Sequence, residues 1–273
     1  MADPTQLRRS DQRPPNGGGG ARLGIIQLVM TSLQSLSLCR DDALRLAALP
    51  ALVYFGAMIY GQSAAFALMN AIQGGTTEID PALGGRLLLT GILAVLSLSW
   101  LAVNWLRFLL LGQQAASGLG LKLGRPHLLF LLSALALAFA ALLCLSLLSL
   151  PIQLVLRGAA QIGLWAAALA IGWVAIRVSL ALVAVAIGQA VGLRRAWEAS
   201  AGQGIVLLVA FLLVEIPFVL LVTVIGLIAG ATGLAVAAPY TLLFVGCIIQ
   251  IVATMAQCGV LAAAYRRLIG VRA

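Results

Sequence analysis

Charge is scarce in this sequence. Only 9% of its 273 residues are Asp, Glu, Lys or Arg, against about 25% in an ordinary soluble domain. With 62% hydrophobic residues and a mean hydropathy of +1.09, a chain of this length cannot hide its apolar surface behind a polar shell. A water-soluble globular fold is excluded, and lipid is the natural solvent. Acids are scarcer still, 8 against 17 Lys and Arg. The resulting net charge of +9 would suggest nucleic acid in a soluble protein. Here the basic residues lie in short stretches between apolar runs, where they face anionic headgroups and set topology. Nucleic acid is therefore not expected as a partner.

Histidine is limited to His127, too little for a His-based metal site. The four cysteines, Cys39, Cys144, Cys247 and Cys258, show no CxxC pair and no ligand spacing. The last three fall within apolar runs and read as small hydrophobes. No metal and no cofactor is expected.

Residues 1–22 are polar, with Pro14, Pro15 and the run Gly17 to Gly20, a composition that cannot bury a core and predicts a disordered tail. In residues 23–44, Gln27, Thr31, Gln34 and Ser35 recur at helical spacing opposite Ile25, Ile26, Val29, Met30, Leu33 and Leu36. This pattern predicts an amphipathic helix lying in the membrane interface, followed by a lead-in. A lipoprotein signal ending at Cys39 is the rival reading, but it wants a small residue where Leu38 stands. From 45 to 268 six apolar runs follow, at about 45–70, 86–112, 127–150, 158–187, 203–230 and 235–265. Each reaches the roughly 20 residues that span about 30 Å of hydrocarbon. The runs are continuous and do not alternate with period two, so helices are expected and not a barrel. The fold class is all-α, a polytopic transmembrane bundle of about six spans with amphipathic interfacial helices, closed by a short tail at 269–273.

The charges supply an independent check. Arg8, Arg9, Arg13, Arg22, Arg40 and Arg45 precede the first span, Lys122 and Arg125 follow the second, Arg194 and Arg195 follow the fourth, and Arg266, Arg267 and Arg272 end the chain. The opposite side receives Arg86 and Arg157 with the acids Glu78 and Asp80. This alternation obeys the positive-inside rule and places both termini in the cytoplasm. Trp100, Trp105, Trp165, Trp173 and Trp197 form no two clear belts, although Trp197 suits an interfacial ring. Gly226 and Gly230 make a GxxxG pattern in the fifth span, a device for close helix packing.

Charges inside a span are expensive and default to function. Arg107, in the second span, lies near enough to its helix end to snorkel. Arg177 in the fourth span and Glu215 in the fifth both count to mid-depth, and an intramembrane Arg177–Glu215 pair docking those helices is expected. Transport would use the same two residues as a relay, with Pro217 loosening the helix and Asn104 and Gln153 as polar helpers. Residues 178–191 either continue the fourth helix or bend along the surface, which would move Arg177 toward the headgroups. Ala116-Ser117-Gly118 and Gly118-Leu-Gly120 lack the strand context of a nucleophile elbow or dinucleotide loop. No constellation of nucleophile, base and oxyanion donors emerges, and the chain is not expected to be an enzyme.

Four stretches are familiar together: Trp105 to Gly112 (WLRFLLLG), Arg177 to Val183 (RVSLALV), Gly192 to Ser200 (GLRRAWEAS) and Ala264 to Leu268 (AYRRL). The series resembles bacterial six-helix membrane proteins related to the membrane domain of glycerophosphoryl diester phosphodiesterases. The resemblance implies this architecture and a bacterial inner membrane; many members of the group have no assigned activity, and no catalytic residue carries over. It also implies that Leu193 to Ser200 forms a short helix on the cytoplasmic face, where Arg194, Arg195 and Trp197 suit the interface. An arginine stands near the end of each helix pair: Arg107, Arg177, and Arg266 with Arg267. Together these features predict a non-enzymatic inner-membrane protein, a scaffold, lipid-organising or complex-associated factor. Its expected partners are membrane lipids and another membrane protein or complex; a small transporter or channel using Arg177 and Glu215 is the alternative.

Overall fold

The computed structural model describes residues 24–73, 81–112, 124–156, 159–189 and 191–270. The expected tail at 1–22, and Glu78, Asp80, Lys122, Arg157 and Arg272 of the charge argument, lie outside the described residues. The fold is all-α, and six of its helices are long and apolar enough to cross a membrane. In chain order the helices are α1 (Ile25–Leu38), α2 (Arg40–Gln73), α3 (Pro81–Leu111), α4 (Arg125–Leu156), α5 (Ala160–Ala186), α6 (Leu193–Ala199), α7 (Gly204–Ala231), α8 (Leu234–Ala237) and α9 (Pro239–Leu268). The spans are α2, α3, α4, α5, α7 and α9.

Boundaries differ from the sequence reading by four to six residues at several helix ends: α3 begins at Pro81 rather than 86 and α4 runs to Leu156 rather than 150. The first spanning helix begins at Arg40 rather than 45, with Asp41 and Asp42 in its first turn, where carboxylates complement the helix dipole. The last span begins at Pro239, after the one-turn helix α8. Proline suits a first helical position because its missing N–H would be unpaired there anyway. The stretch 178–191 does not bend at once: α5 runs to Ala186. It stops where Gly188 takes a left-handed φ of 75°, and two bonds close the end, Gly188 N–H to Val185 O and Gln189 N–H to Ala184 O. That is the pattern in which a glycine satisfies the last carbonyls of a helix.

Helix α9 is the hub, packing against α1, α2, α3, α5 and α7. Its buried face is rich in small residues, among them Ala253, Ala256, Gly259, Ala262, Ala263 and Ala264. In lipid, where apolar surface gains nothing by leaving the solvent, such residues let backbones approach and gain dispersion contact. Two neighbouring α9 carbonyls accept bonds from other helices. Ser32 Oγ of α1 donates to Ala256 O at 2.5 Å, and the fully buried Trp105 of α3 donates through Nε1 to Met255 O at 3.0 Å. Gly259 opens this place: a Cβ there would stand 2.6 Å from Ser32 Oγ and 3.1 Å from its Cα.

Helix α1 is therefore more than a surface element. It turns Leu28, Ser32 and Ser35 into the bundle and exposes Ile26, Met30 and Leu33. Ser35 was expected on the outer polar face, but its hydroxyl turns back to Ser32 O, so it can be buried without an unpaired donor. The Gly226/Gly230 pattern also fails as a close contact, since a Cβ at either glycine would meet nothing within 4 Å. Close approach occurs instead at Gly61 against Thr90, at Gly204 against Trp173, and at Gly259.

Two substitutions separate these roles. Gly259→Leu is expected to displace α1 and cost about 1–3 kcal/mol by overpacking, whereas Gly226→Leu should stay within roughly 0.5 kcal/mol. The readout is unfolding in detergent or nanodiscs together with maleimide labelling of Ser32→Cys, which should be gained only in the Gly259→Leu background. Labelling gained equally with Gly226→Leu would contradict the packing described.

Candidate functional site at the basic end

Helices α3, α5 and α9 finish at the same end of the bundle, and each is followed by a glycine of positive φ: Gly112, Gly188 and Gly270. A helix end presents carbonyls with no intrahelical partner and a partial negative charge. The arginines near these ends serve those carbonyls on neighbouring elements. Arg266 of α9 donates to Leu109 O in the last turn of α3. Arg107 of α3 donates through Nη1 to Ala186 O, the last residue of α5, at 3.3 Å. Arg177 of α5 donates through Nη2 to Trp197 O near the end of α6, at 2.8 Å. The chain of clamps thus runs from α9 to α3 to α5 to α6. Tyr265 adds a rung, its hydroxyl donating to Gln189 Oε1 at 2.8 Å, and Arg267 ties α1 through Gln27 Oε1 at 2.8 Å.

Arg177 is the most enclosed of these arginines, at 6% exposure. Its Nε donates to Ser200 Oγ at 2.9 Å, and Ser200 in turn donates to Trp197 O at 3.0 Å. The guanidinium carbon lies 3.6 Å from the Trp197 ring centre and 5.0 Å from that of Trp173. The two rings meet edge to face at 5.9 Å. A planar cation held between indole faces and hydrogen-bond acceptors has the solvation it would otherwise lose on burial. Trp173 Nε1 is buried without a hydrogen-bond partner, against the start of α7 at Gly204.

The expected Arg177–Glu215 pair does not form. Among the described residues the ion pair is Arg194–Glu198 at 2.8 Å, one turn apart on exposed α6. The reason is a difference in level. Counting from helix ends assumed that α7 starts where α5 stops, but the chain folds back through α6. Gly204 therefore sits beside Trp173 and Arg177, and Glu215, eleven residues further on, lies roughly 16 Å deeper at 1.5 Å per residue. There it accepts from Gln257 Nε2 of α9.

Arg107 does not end in the headgroups as expected but on Ala186 O. One turn before it, Asn104 Oδ1 meets His127 Nε2 at 3.0 Å, while Gly124 N–H donates to His127 Nδ1 at 3.3 Å. An imidazole that accepts at Nδ1 carries its proton on Nε2, so His127 fastens the start of α4 to α3. Of the interfacial candidates, Arg194 and Arg195 are exposed and Trp197 is 38% exposed. All three are on α6. Sequence reasoning missed Ser200, Trp173 and Gln257. Trp173 had a signal, since it stands one helical turn before Arg177; Gln257 had none.

Compared with known proteins, the chain matches no family model, no curated protein and no solved structure.

Removing the Arg177 clamp by Arg177→Gln should cost about 3 kcal/mol, the scale of charge-assisted hydrogen bonds plus a desolvated cation–π contact. In double-mutant cycles Arg177 should couple to Ser200 by more than about 1 kcal/mol and add to Glu215 within roughly 0.5 kcal/mol. Strong coupling to Glu215 would restore the ion pair and refute the offset of α7.

Proposed function

We propose that this is a non-enzymatic, multi-pass protein of the bacterial inner membrane that organises lipid at the cytoplasmic face, as a scaffold or a component of a larger membrane complex. The observation that carries the reading is the mounting of α6. Arg177 pins this seven-residue helix at the level where α7 starts, with Arg194, Arg195, Leu193 and Trp197 left exposed. Basic side chains beside an aromatic ring and a leucine, held at a helix-bundle rim, suit anionic headgroups and the first carbons below them. The intramembrane charges support it too, because Arg107, Arg177 and Glu215 are each engaged with the bundle's own groups. Kinship with the six-helix group is part of the proposal, since Trp105, Arg177, Ser200, Tyr265 and Arg266 of the shared stretches are residues that bond between helices. Transport has one observation of its own, the Glu215–Gln257 contact two residues from Pro217 in α7.

Purification in native-lipid nanodiscs, with identification of co-purifying lipids and proteins, separates the two readings when paired with liposome flux. Enrichment of anionic lipid or a stable protein partner, with liposomes no leakier than empty ones, is expected. A solute flux abolished by Glu215→Gln, with neither enrichment, would replace the proposal by transport.

Orientation has a separate test. Burial, followed by the charge of Asp42, pushes the Cys39 thiol above its ordinary range, so little thiolate is present near neutrality; Cys247 and Cys258 are buried, and Cys144, exposed on the bundle's surface, lies within the span α4, where an impermeant reagent does not reach. The wild-type background for an impermeant thiol reagent should therefore be quiet. Applied outside intact cells, the reagent should label Glu78→Cys and spare Lys122→Cys and Arg195→Cys. The reverse pattern would place the basic end outside.

A further inference from the structure

Between α3 and α4, at the basic end, lies an open cleft of about 350 Å³ lined by Leu96, Trp100, Arg125, His127, Leu128 and Leu131. Its polarity is graded. The Asn104–His127 bond sets the register of the two antiparallel helices, so Arg125 stands at the mouth, Trp100 faces the level of Leu131, and the floor runs roughly 9 Å further in at 1.5 Å per residue. His127 is committed on both ring nitrogens and forms a wall. The charge in the lining is the guanidinium of Arg125, which is exposed and has no hydrogen-bond or ion-pair partner among the described residues. A cation at the entrance, with leucines and an indole deeper in the cleft, matches an amphiphile with an anionic head. The volume, at the lower end of the roughly 300–1,000 Å³ typical of small-ligand clefts, admits a headgroup and the first part of one chain.

We infer that this cleft is a binding site for one anionic phospholipid, its phosphate on Arg125 and its proximal acyl carbons against Leu96, Leu128 and Leu131. The site deepens the lipid-organising reading by naming a lipid class and a seat separate from α6. A free phosphate or glycerol phosphate offers Arg125 the same chemistry without the chain, and only the phospholipid uses the apolar floor.

Trp100 supplies the probe. In nanodiscs of phosphatidylcholine doped with brominated phosphatidylglycerol or brominated phosphatidylcholine, the quenching due to Trp100 is the difference between wild type and Trp100→Phe. The anionic lipid is expected to quench at roughly fivefold lower content than the neutral one, the preference typical of one basic residue near a headgroup. Arg125→Gln should abolish that preference, while Arg86→Gln, at the opposite end of α3, leaves it intact. Equal quenching by both lipids, or a preference that survives Arg125→Gln, would overturn the site. Relief of the quenching by millimolar inorganic phosphate at constant ionic strength would mark an anion subsite without a chain and overturn the lipid assignment. Anionic lipid co-purifying equally with wild type and Arg125→Gln, in the absence of a Trp100 preference, would remove this cleft and leave the broader lipid reading standing.

Discussion

An arginine on one helix, laid against the carbonyl end of another, is the contact on which the basic end of this protein is built. The last carbonyls of a helix have no intrahelical partner, and where neighbouring helices screen them from water an unpaired one costs free energy on the scale of a lost hydrogen bond. A guanidinium has the complementary difficulty, five donors and a charge that lipid cannot solvate. Placing Arg266 on Leu109 O, Arg107 on Ala186 O and Arg177 on Trp197 O resolves both at once. Each contact also follows the sign of the helix dipole, worth roughly 0.3–2 kcal/mol for a cation at a C-terminus. The arginines gathered at this end thus fasten neighbouring elements to one another.

The rest of the architecture follows from where these fastenings leave α9. Its end supplies Tyr265, Arg266 and Arg267 to three different elements, so it must run through the middle of the bundle. A central helix in lipid is held by proximity of backbones, which explains the alanine-rich buried face and the use of Met255 and Ala256 carbonyls as docking points for Trp105 and Ser32. By contrast α4, among the described residues, packs mainly on α3 and α5 and is almost wholly turned outward from the bundle. His127 is its anchor, and the cleft beside that anchor is the space left when a peripheral helix meets the bundle at one end.

Much of this was legible in the sequence, for physical reasons. Long apolar runs announce spans because length and hydropathy are one-dimensional properties. The succession Arg107, Arg177, Arg266 was visible as a recurring arginine near helix ends. Its purpose was not, because the acceptors are backbone carbonyls, which carry no sequence signature. The Arg177–Glu215 pairing failed for a related reason: charge complementarity can be read from a string, but the level at which α7 begins depends on how residues 187–203 fold back. Gly226 and Gly230 show the converse, a packing pattern without a packed neighbour, while Gly259, which belongs to no GxxxG pair, holds the close approach of α9 to α1.

An arginine bonded to a neighbouring helix end acts locally, and amide hydrogen exchange in nanodiscs reads that effect residue by residue. Replacing Arg107 with glutamine should speed exchange in the last turn of α5, around residues 184–189, and leave the interior of α3, which carries the arginine, unchanged. Replacing Arg266 should do the same to the end of α3. Exchange that rises on the arginine's own helix and not on the neighbour's end would mean that these arginines do not hold the helix ends.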